Sequence, residues 1–585
     1  MTGPTAPTYG WEAAEGRPLS DDRTLYGVLL DNAKMFPDRT ALEFLDQTLS
    51  YSRLLQRIHA AAAGFVRGRI GPGDRVALCL PNCPQAVICL YALNRIGAVA
   101  VLLNPLTAPE ELAAQIASTG CKGWVVFDLF LRRLLRNLIS IPGICLRVVV
   151  DIGPDMALLH RMKYRVAAGL KSLAAAGIAS AAAAGGAAGG AAATRDPQVR
   201  KWDLFTAATD ATADAATDAA ADAVVLFSGG TTGEPKPVVH SSLSINATVF
   251  QCMATEPPPR PVDAMLTVLP YFHIFGLTIG LHLPLAAAVK AVLVPRFSGE
   301  EAAKCLIRQK VTYIAGVPTI YEGILGSRRM KKAEKAGKLD FGRFRTGFCG
   351  GDRLAAATLE RFNALIHKHG GTGRIVEGYG LTESCPVTTM NRDGSGPAGS
   401  LGRPLPGVAV CIMEIGTSRR LPPGEEGEIC VFARSMMQQP GQEWLHTGDV
   451  GMLDENGYLF LHHRLRRIIK VSGYPVFAGK VEEAIAACPG VRKVCVIGIP
   501  DPYSIQRVKA FVVLNPGSDP KKTRRALEAH CRLKLSPWAV PAEIEFIDEL
   551  PVNLLGKVAF GKLEETGKAG SGREMASTDS SHSSN

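Results

Sequence analysis

The sequence predicts an α/β protein built in more than one domain, and three observations carry that expectation. At 585 residues the chain exceeds what one hydrophobic core organises. Short apolar runs of strand length alternate with segments of helical spacing, the pattern of a parallel sheet with crossover helices. The composition, 47% apolar and 20% charged, is that of an ordinary globular protein.

Residues 24–36 (TLYGVLLDNAKMF) and 49–66 (LSYSRLLQRIHAAAAGFV) repeat apolar positions at helical spacing, whereas 75–81 (RVALCLP) and 98–104 (AVAVLLN) are continuous apolar runs that read as buried strands. Residues 166–223 break the pattern. They are alanine-rich and poor in large apolar groups, so they bury too little to hold a core and are expected to form a surface insertion with mobile parts. Just before it, residues 158–173 (LLHRMKYRVAAGLKSL) interleave basic with apolar side chains. A solvated surface helix is the plain reading of that segment, and docking on a membrane surface is the alternative. A strand follows at 223–227 (AVVLF), and residues 566–585 are expected to be a disordered tail.

Several classes of function are disfavoured. No run of about 20 apolar residues predicts a spanning helix, and the N-terminus lacks a basic segment followed by an apolar one, so a cytoplasmic location is expected. The net charge of +11 suits phosphorylated small molecules and leaves contact with a lipid surface open. Its basic residues are dispersed and no nucleic-acid motif is present, so nucleic acid is not an expected partner. Of the 14 cysteines only Cys79, Cys83 and Cys89 lie close together, with no His/Cys pair at zinc-ligand spacing, so they read as reduced, buried thiols.

The chemistry concentrates after the strand at 223–227, in SGGTTGEPKPV at 228–238. Gly229, Gly230 and Gly233 let backbone N–H groups approach a phosphate closely, Ser228, Thr231 and Thr232 add hydroxyl donors, and Lys236 adds a cation. No GK[ST] closes the segment, so it is not a P-loop. Further on stand LPYFHIFGL (269–277), CGGDRL (349–354), EGYGLTES (377–384), WLHTGDVG (444–451), GYLFLHHRLRRIIKVSGYPV (457–476) and ELPVNLLGKVAFGKL (549–563).

This set, collinear from about residue 25 to 565, resembles the adenylate-forming (AMP-binding) superfamily, in its acyl-CoA synthetase branch. The doubled glycine of SGGTTG is similar to that of bacterial long-chain fatty acid–CoA ligases. The resemblance implies a large N-terminal domain at 1–463, made of two α/β subdomains and a β-barrel-like piece. A small mobile α+β domain at 464–565 would cover the site. It implies a fatty acid, ATP and coenzyme A as substrates, with Mg²⁺ as the metal, and leaves a homodimer open.

By the same resemblance Ser228, Gly229, Gly230, Thr231, Thr232, Gly233 and Lys236 cradle the phosphates, and Gly350, Gly351 and Asp352 lie against adenine. Tyr379, between Gly378 and Gly380, stacks on adenine, Thr382 meets the α-phosphate and Glu383 holds Mg²⁺, a hard cation that prefers carboxylate oxygen. Asp449 and Arg464 hold the ribose, His273 borders the acyl carboxylate, and VTYIAGVPTIY (311–321) runs along the acyl pocket. Lys470 and Gly473 meet the coenzyme A arm, Arg466 is the hinge, and Lys557 is the catalytic lysine.

Departures from the family pattern cluster in the small domain. Pro237 replaces a glycine, residues 431–443 are about ten positions short, His463 replaces an aspartate, and Arg467 stands where an acid is common. Ala478 replaces a proline, Lys480 a glutamate and Phe560 an arginine. None touches the residues implied in adenylation. They border the implied coenzyme A route, which leaves two alternatives: a ligase that loads a carrier protein, and a weakly active nucleotide- or acyl-binding protein.

Overall fold

The computed structural model describes residues 22–157, 160, 162, 199–207, 218–228, 236–255, 260–296, 298–392, 396–433, 435–436, 444–465, 468–471, 474–501, 504–552 and 558–566. The segment 158–173 lies almost wholly outside them, as do residues 567–585.

Two mostly parallel sheets dominate. In the first, the order is Val199–Lys201, Leu146–Val150, Gly123–Phe127, Arg75–Cys79, Val99–Leu102, Asp222–Ser228 and Lys236–Ser241, parallel except for the last strand. Pro237 sits on that edge strand, where its missing N–H is tolerated. The second sheet has nine strands, with six parallel strands at its centre, among them Thr346–Cys349 and Arg374–Tyr379. Strands such as Gly123–Phe127 and Tyr313–Gly316 are buried along their whole length, because helices or the other sheet cover both faces. Such a strand is a continuous apolar run, which is why its residues are recognisable in the sequence.

All residues of the helix Pro84–Arg95 are buried. Its surroundings form one cluster with side chains from both sheets, including Val76 and Leu78 of the first and Leu42 and Phe44 of the second. Each large side chain taken fully out of water there contributes about 1.5–3 kcal/mol. Buried polar bonds fix the register of this layer. Tyr91 Oη lies 2.7 Å from His282 Nδ1, whose other ring nitrogen lies 2.7 Å from Asn246 Oδ1.

The low-complexity segment ends earlier than the composition suggests. Val199–Lys201 is an edge strand of the first sheet, and Trp202 and Phe205 are buried beside it. The Phe205 ring meets Phe65 edge-on at 5.0 Å between centroids, and its carbonyl approaches Gly64 so closely that a Cβ there would lie 2.6 Å from it. The expectation of an insertion over 166–223 is therefore corrected over 199–207 and at 222–223. In WDLF the large apolar side chains return and bury enough surface to dock, and Asp222 already starts a core strand.

The barrel-like piece is a four-stranded antiparallel sheet of Val408–Met413, Gly427–Ala433, Leu445–Leu453 and Leu459–Arg464. A fourth sheet starts at Ile468–Val471, with Tyr474–Phe477, Ile505–Leu514, Val491–Asp501 and Glu543–Phe546. The helices Ala478–Ala486 and Pro520–Lys534 pack on it through Val481, Ile485, Leu527 and Cys531, making a separate small core. Among the described residues, no helix is long and apolar enough to cross a membrane.

Candidate active site

A cavity of about 670 Å³ opens where the three N-terminal sheets meet. Strands Val99–Leu102, Asp222–Ser228, Thr346–Cys349 and Arg374–Tyr379 deliver Leu102, Ser228, Cys349 and Tyr379 to it from their carboxyl ends. Ligand crevices of α/β sheets form at that end because the loops diverge there.

At its polar side, Tyr379 Oη donates to Asp449 Oδ2 at 2.7 Å. Burial of the phenol pushes its pKa well up, and the Asp449 charge adds to this, so it stays a donor. Asp449 is 1% exposed and faces Arg464 across the adjacent strand, with Oδ1 at 2.8 Å from Nε. That contact is an ion pair without an aligned hydrogen bond, so the buried Oδ1 keeps acceptor capacity for a ligand hydroxyl.

Close approaches explain the glycines. A Cβ on Gly380 would lie 1.6 Å from Pro386 O and one on Gly378 2.8 Å from Thr389 O. Gly351 has φ +82°, which glycine adopts without strain, and the Phe275 ring packs over Gly350. Thr382 and Glu383 line the cavity in the single turn that follows. The Glu383 carboxylate is half-buried and has no hydrogen-bond or ion-pair partner among the described residues, a donor set that fits Mg²⁺.

His273 lines the cavity, and Phe275 N–H donates to its Nδ1 at 3.3 Å. Asn82 fixes the turn before it, donating to Leu269 O at 2.8 Å and accepting from Tyr271 N–H at 3.2 Å. Phe272, Phe275, Ile279 and Leu283 continue from His273 as an apolar wall. Ser228 and Lys236 line the cavity from paired strands.

Other sequence candidates fall elsewhere. Asp352 is exposed, outside the cavity lining, and its carboxylate accepts from Arg353 N–H at 2.8 Å. Residues 311–321 contribute nothing to the lining. Lys470 lies on the strand Ile468–Val471 of the small domain. Gly229, Gly230, Thr231, Thr232, Gly233, Arg466, Gly473 and Lys557 lie outside the described residues.

Sequence reasoning missed Glu428 and His446 in the lining. His446 Nδ1 lies 2.8 Å from Glu428 Oε2, while Glu428 Oε1 accepts from Gly448 N–H at 3.0 Å and so ties the loop that leads to Asp449. Only an antiparallel register brings residues 18 apart together, and no local motif signals it. Beyond Arg464–Asp449, ion pairs among the described residues that join the small domain to the rest include Lys480 to Glu426 at 3.6 Å and Arg353 to Glu483 at 3.1 Å.

A family model described as AMP-binding enzyme matches residues 29–439, and one described as AMP-binding enzyme C-terminal domain matches 480–557. The chain is 30% identical over 561 residues to a long-chain-fatty-acid–CoA ligase of Bacillus subtilis (strain 168), covering 93% of this chain and 94% of that one. It is 28% identical over 566 residues to a ligase of the same name from Escherichia coli O6:H1, covering 94% and 95%. Among solved structures it is similar to ATP-bound MatB from Rhodopseudomonas palustris, with TM-score 0.74, 24% identity and coverage of 93% and 99%. A benzoate CoA ligase from Burkholderia xenovorans LB400 gives TM-score 0.73 at 21% identity, covering 93% and 100%. At those identities the solved structures speak for the fold alone.

Proposed function

The chain belongs to the AMP-binding enzyme family of adenylate-forming acyl-CoA ligases, and on that premise we propose that it activates a long-chain fatty acid with ATP and transfers the acyl group to coenzyme A. The observation that carries this reading is one cavity with two characters. The Tyr379–Asp449–Arg464 array offers hydrogen-bonding groups for a nucleoside, and the Phe272, Phe275, Ile279 and Leu283 wall offers apolar surface for an acyl chain.

In this reading Asp449 accepts from the ribose hydroxyls with the capacity left on Oδ1, and Arg464 holds that carboxylate in place. Tyr379 lies against adenine on the glycine-lined floor at 350–351. Thr382 meets the α-phosphate, and the 228–236 segment holds the β- and γ-phosphates with Lys236. His273 borders the carboxylate, whose oxygen attacks the α-phosphorus in line as pyrophosphate leaves. Glu383 would hold Mg²⁺, which would supply charge neutralisation for the phosphate oxygens. Lys557 bridges carboxylate and α-phosphate.

The domain boundary of this proposal lies at 463/464. A lid of 464–565 turns about Arg466, withdraws Lys557 and brings Lys470 and Gly473 to the coenzyme A arm. Lys480–Glu426 and Arg353–Glu483 are exposed pairs worth about 0–1 kcal/mol each, weak enough to exchange in such a rotation.

Each methylene buried along the apolar wall contributes about 0.8 kcal/mol, so specificity rises steeply with chain length. The test is acyl-CoA formation across saturated acids from acetate to octadecanoate, with benzoate included. Long chains should win in kcat/KM. Preference for benzoate or acetate would remove the fatty acid from the proposal while leaving the ligase chemistry intact.

A further inference from the structure

We propose a binding site for one borderline-soft divalent cation of the Zn²⁺ type, held by Glu428, Cys430 and His446 beside the cavity. Glu428 and Cys430 are two apart on the strand Gly427–Ala433, and His446 pairs with Cys430 on the next strand. Their ligand atoms all lie within 4.8 Å of one another, and no other such cluster occurs among the described residues.

The geometry separates a cation site from a nucleophile relay. A relay puts thiol and carboxylate on opposite nitrogens of the imidazole. Here both face Nδ1, with Glu428 Oε2 at 2.8 Å and Cys430 Sγ at 3.5 Å. Ligands around a common point are arranged this way. Tetrahedral Zn²⁺ with its usual bond lengths sets N···S at about 3.5 Å and N···O at about 3.4 Å. The thiol therefore already stands at the required distance, and the carboxylate oxygen moves by about 0.6 Å.

The donor set fits the ion class. One thiolate, one imidazole and one carboxylate select Zn²⁺ or Co²⁺ over Mg²⁺, which places this site apart from Glu383. Three protein ligands leave a fourth position open. The metal-free thiol holds its proton, because burial and the Glu428 charge both push its pKa up. Binding exchanges that proton for the ion, Cys–SH + M²⁺ → Cys–S–M⁺ + H⁺, so affinity tightens as pH rises. With the Glu428 carboxylate the buried charges then sum to zero. Glu428 binds through Oε2 and keeps Oε1 on Gly448 N–H, so the ion stiffens the loop 446–449.

The test uses the full chain, stripped with a chelator and desalted, and titrated with CoCl₂ and separately with ZnCl₂. The wild type should develop a thiolate-to-cobalt charge-transfer band that saturates at one equivalent. Zn²⁺ at about 100 times its Kd should shift the folding equilibrium about 100-fold and raise the unfolding temperature. Cys430→Val should lose both signals, and Cys145→Ser, which changes the exposed cysteine, should keep both. If Cys430→Val does not fold, His446→Gln serves in its place and should weaken Co²⁺ binding at least tenfold. A wild type without band or shift, or a variant that binds as the wild type does, overturns the site. The readout is independent of the reaction, so it stands or falls apart from the proposed function.

Discussion

Tyr379 and Asp449, 70 residues apart in sequence, meet through a 2.7 Å hydrogen bond from phenol to a carboxylate that is 1% exposed. The bond joins the second parallel sheet to the four-stranded sheet at the cavity. Tyr379→Phe leaves Asp449 Oδ2 buried without this donor, at a cost of about 1–3 kcal/mol. The expected result is a KM for ATP raised about tenfold with kcat changed much less, measured by steady-state pyrophosphate release.

Gly380 tolerates no side chain, since a Cβ would lie 1.6 Å from Pro386 O. Gly380→Ala must displace the turn carrying Thr382 and Glu383. Activity should fall at least about 10²-fold, the scale of losing one preorganised group. Far-UV circular dichroism should stay close to that of the wild type.

Asn82 pins the turn before His273 with hydrogen bonds to Leu269 and Tyr271. In Asn82→Ala two buried main-chain groups lose their partner, at about 1–3 kcal/mol for each unsatisfied group. A lower unfolding midpoint and a raised KM for the acid are expected together. The KM for ATP should move less, because Tyr379 and Asp449 do not lean on that turn.

His240 lies buried at 2% exposure, and burial lowers its pKa from 6.5 to about 4, with a smaller opposing contact from the Thr382 main chain. The folded state therefore binds its proton later than the unfolded state as pH falls. Stability from the neutral ring is full above about 6.5 and is lost as pH drops towards 4. The loss amounts to at most about 3 kcal/mol. His240→Asn should flatten the unfolding midpoint between pH 6.5 and 4, a window read from the same shift.

The parallel strands were legible because burial on both faces writes them as continuous apolar runs, as at Arg75–Cys79 and Asp222–Ser228. Gly378, Tyr379, Gly380, Thr382 and Glu383 stand in one contiguous stretch of sequence, and the end of the strand Arg374–Tyr379 with the turn after it brings them together in the cavity lining. Asp352 is expected against adenine from the sequence, and the structure sets it outside the cavity lining. Its neighbours Gly350 and Gly351 line the floor, but the chain turns outward at 352 and the carboxylate is satisfied locally. Glu428, Cys430 and His446 were invisible, since zinc-ligand spacing looks for close pairs along the chain and strand register assembles this cluster instead. The end of the alanine-rich segment was misread because composition averaged over the window hides the two aromatic side chains, Trp202 and Phe205.

The most direct test of the central claim is pyrophosphate release with ATP, Mg²⁺ and hexadecanoate, with and without coenzyme A, in wild type and Lys557→Ala. Acid-dependent release that coenzyme A multiplies is expected, with a loss of about 10²–10³-fold on removing the lysine. Release indifferent to coenzyme A, or no release with any acid, would contradict that claim.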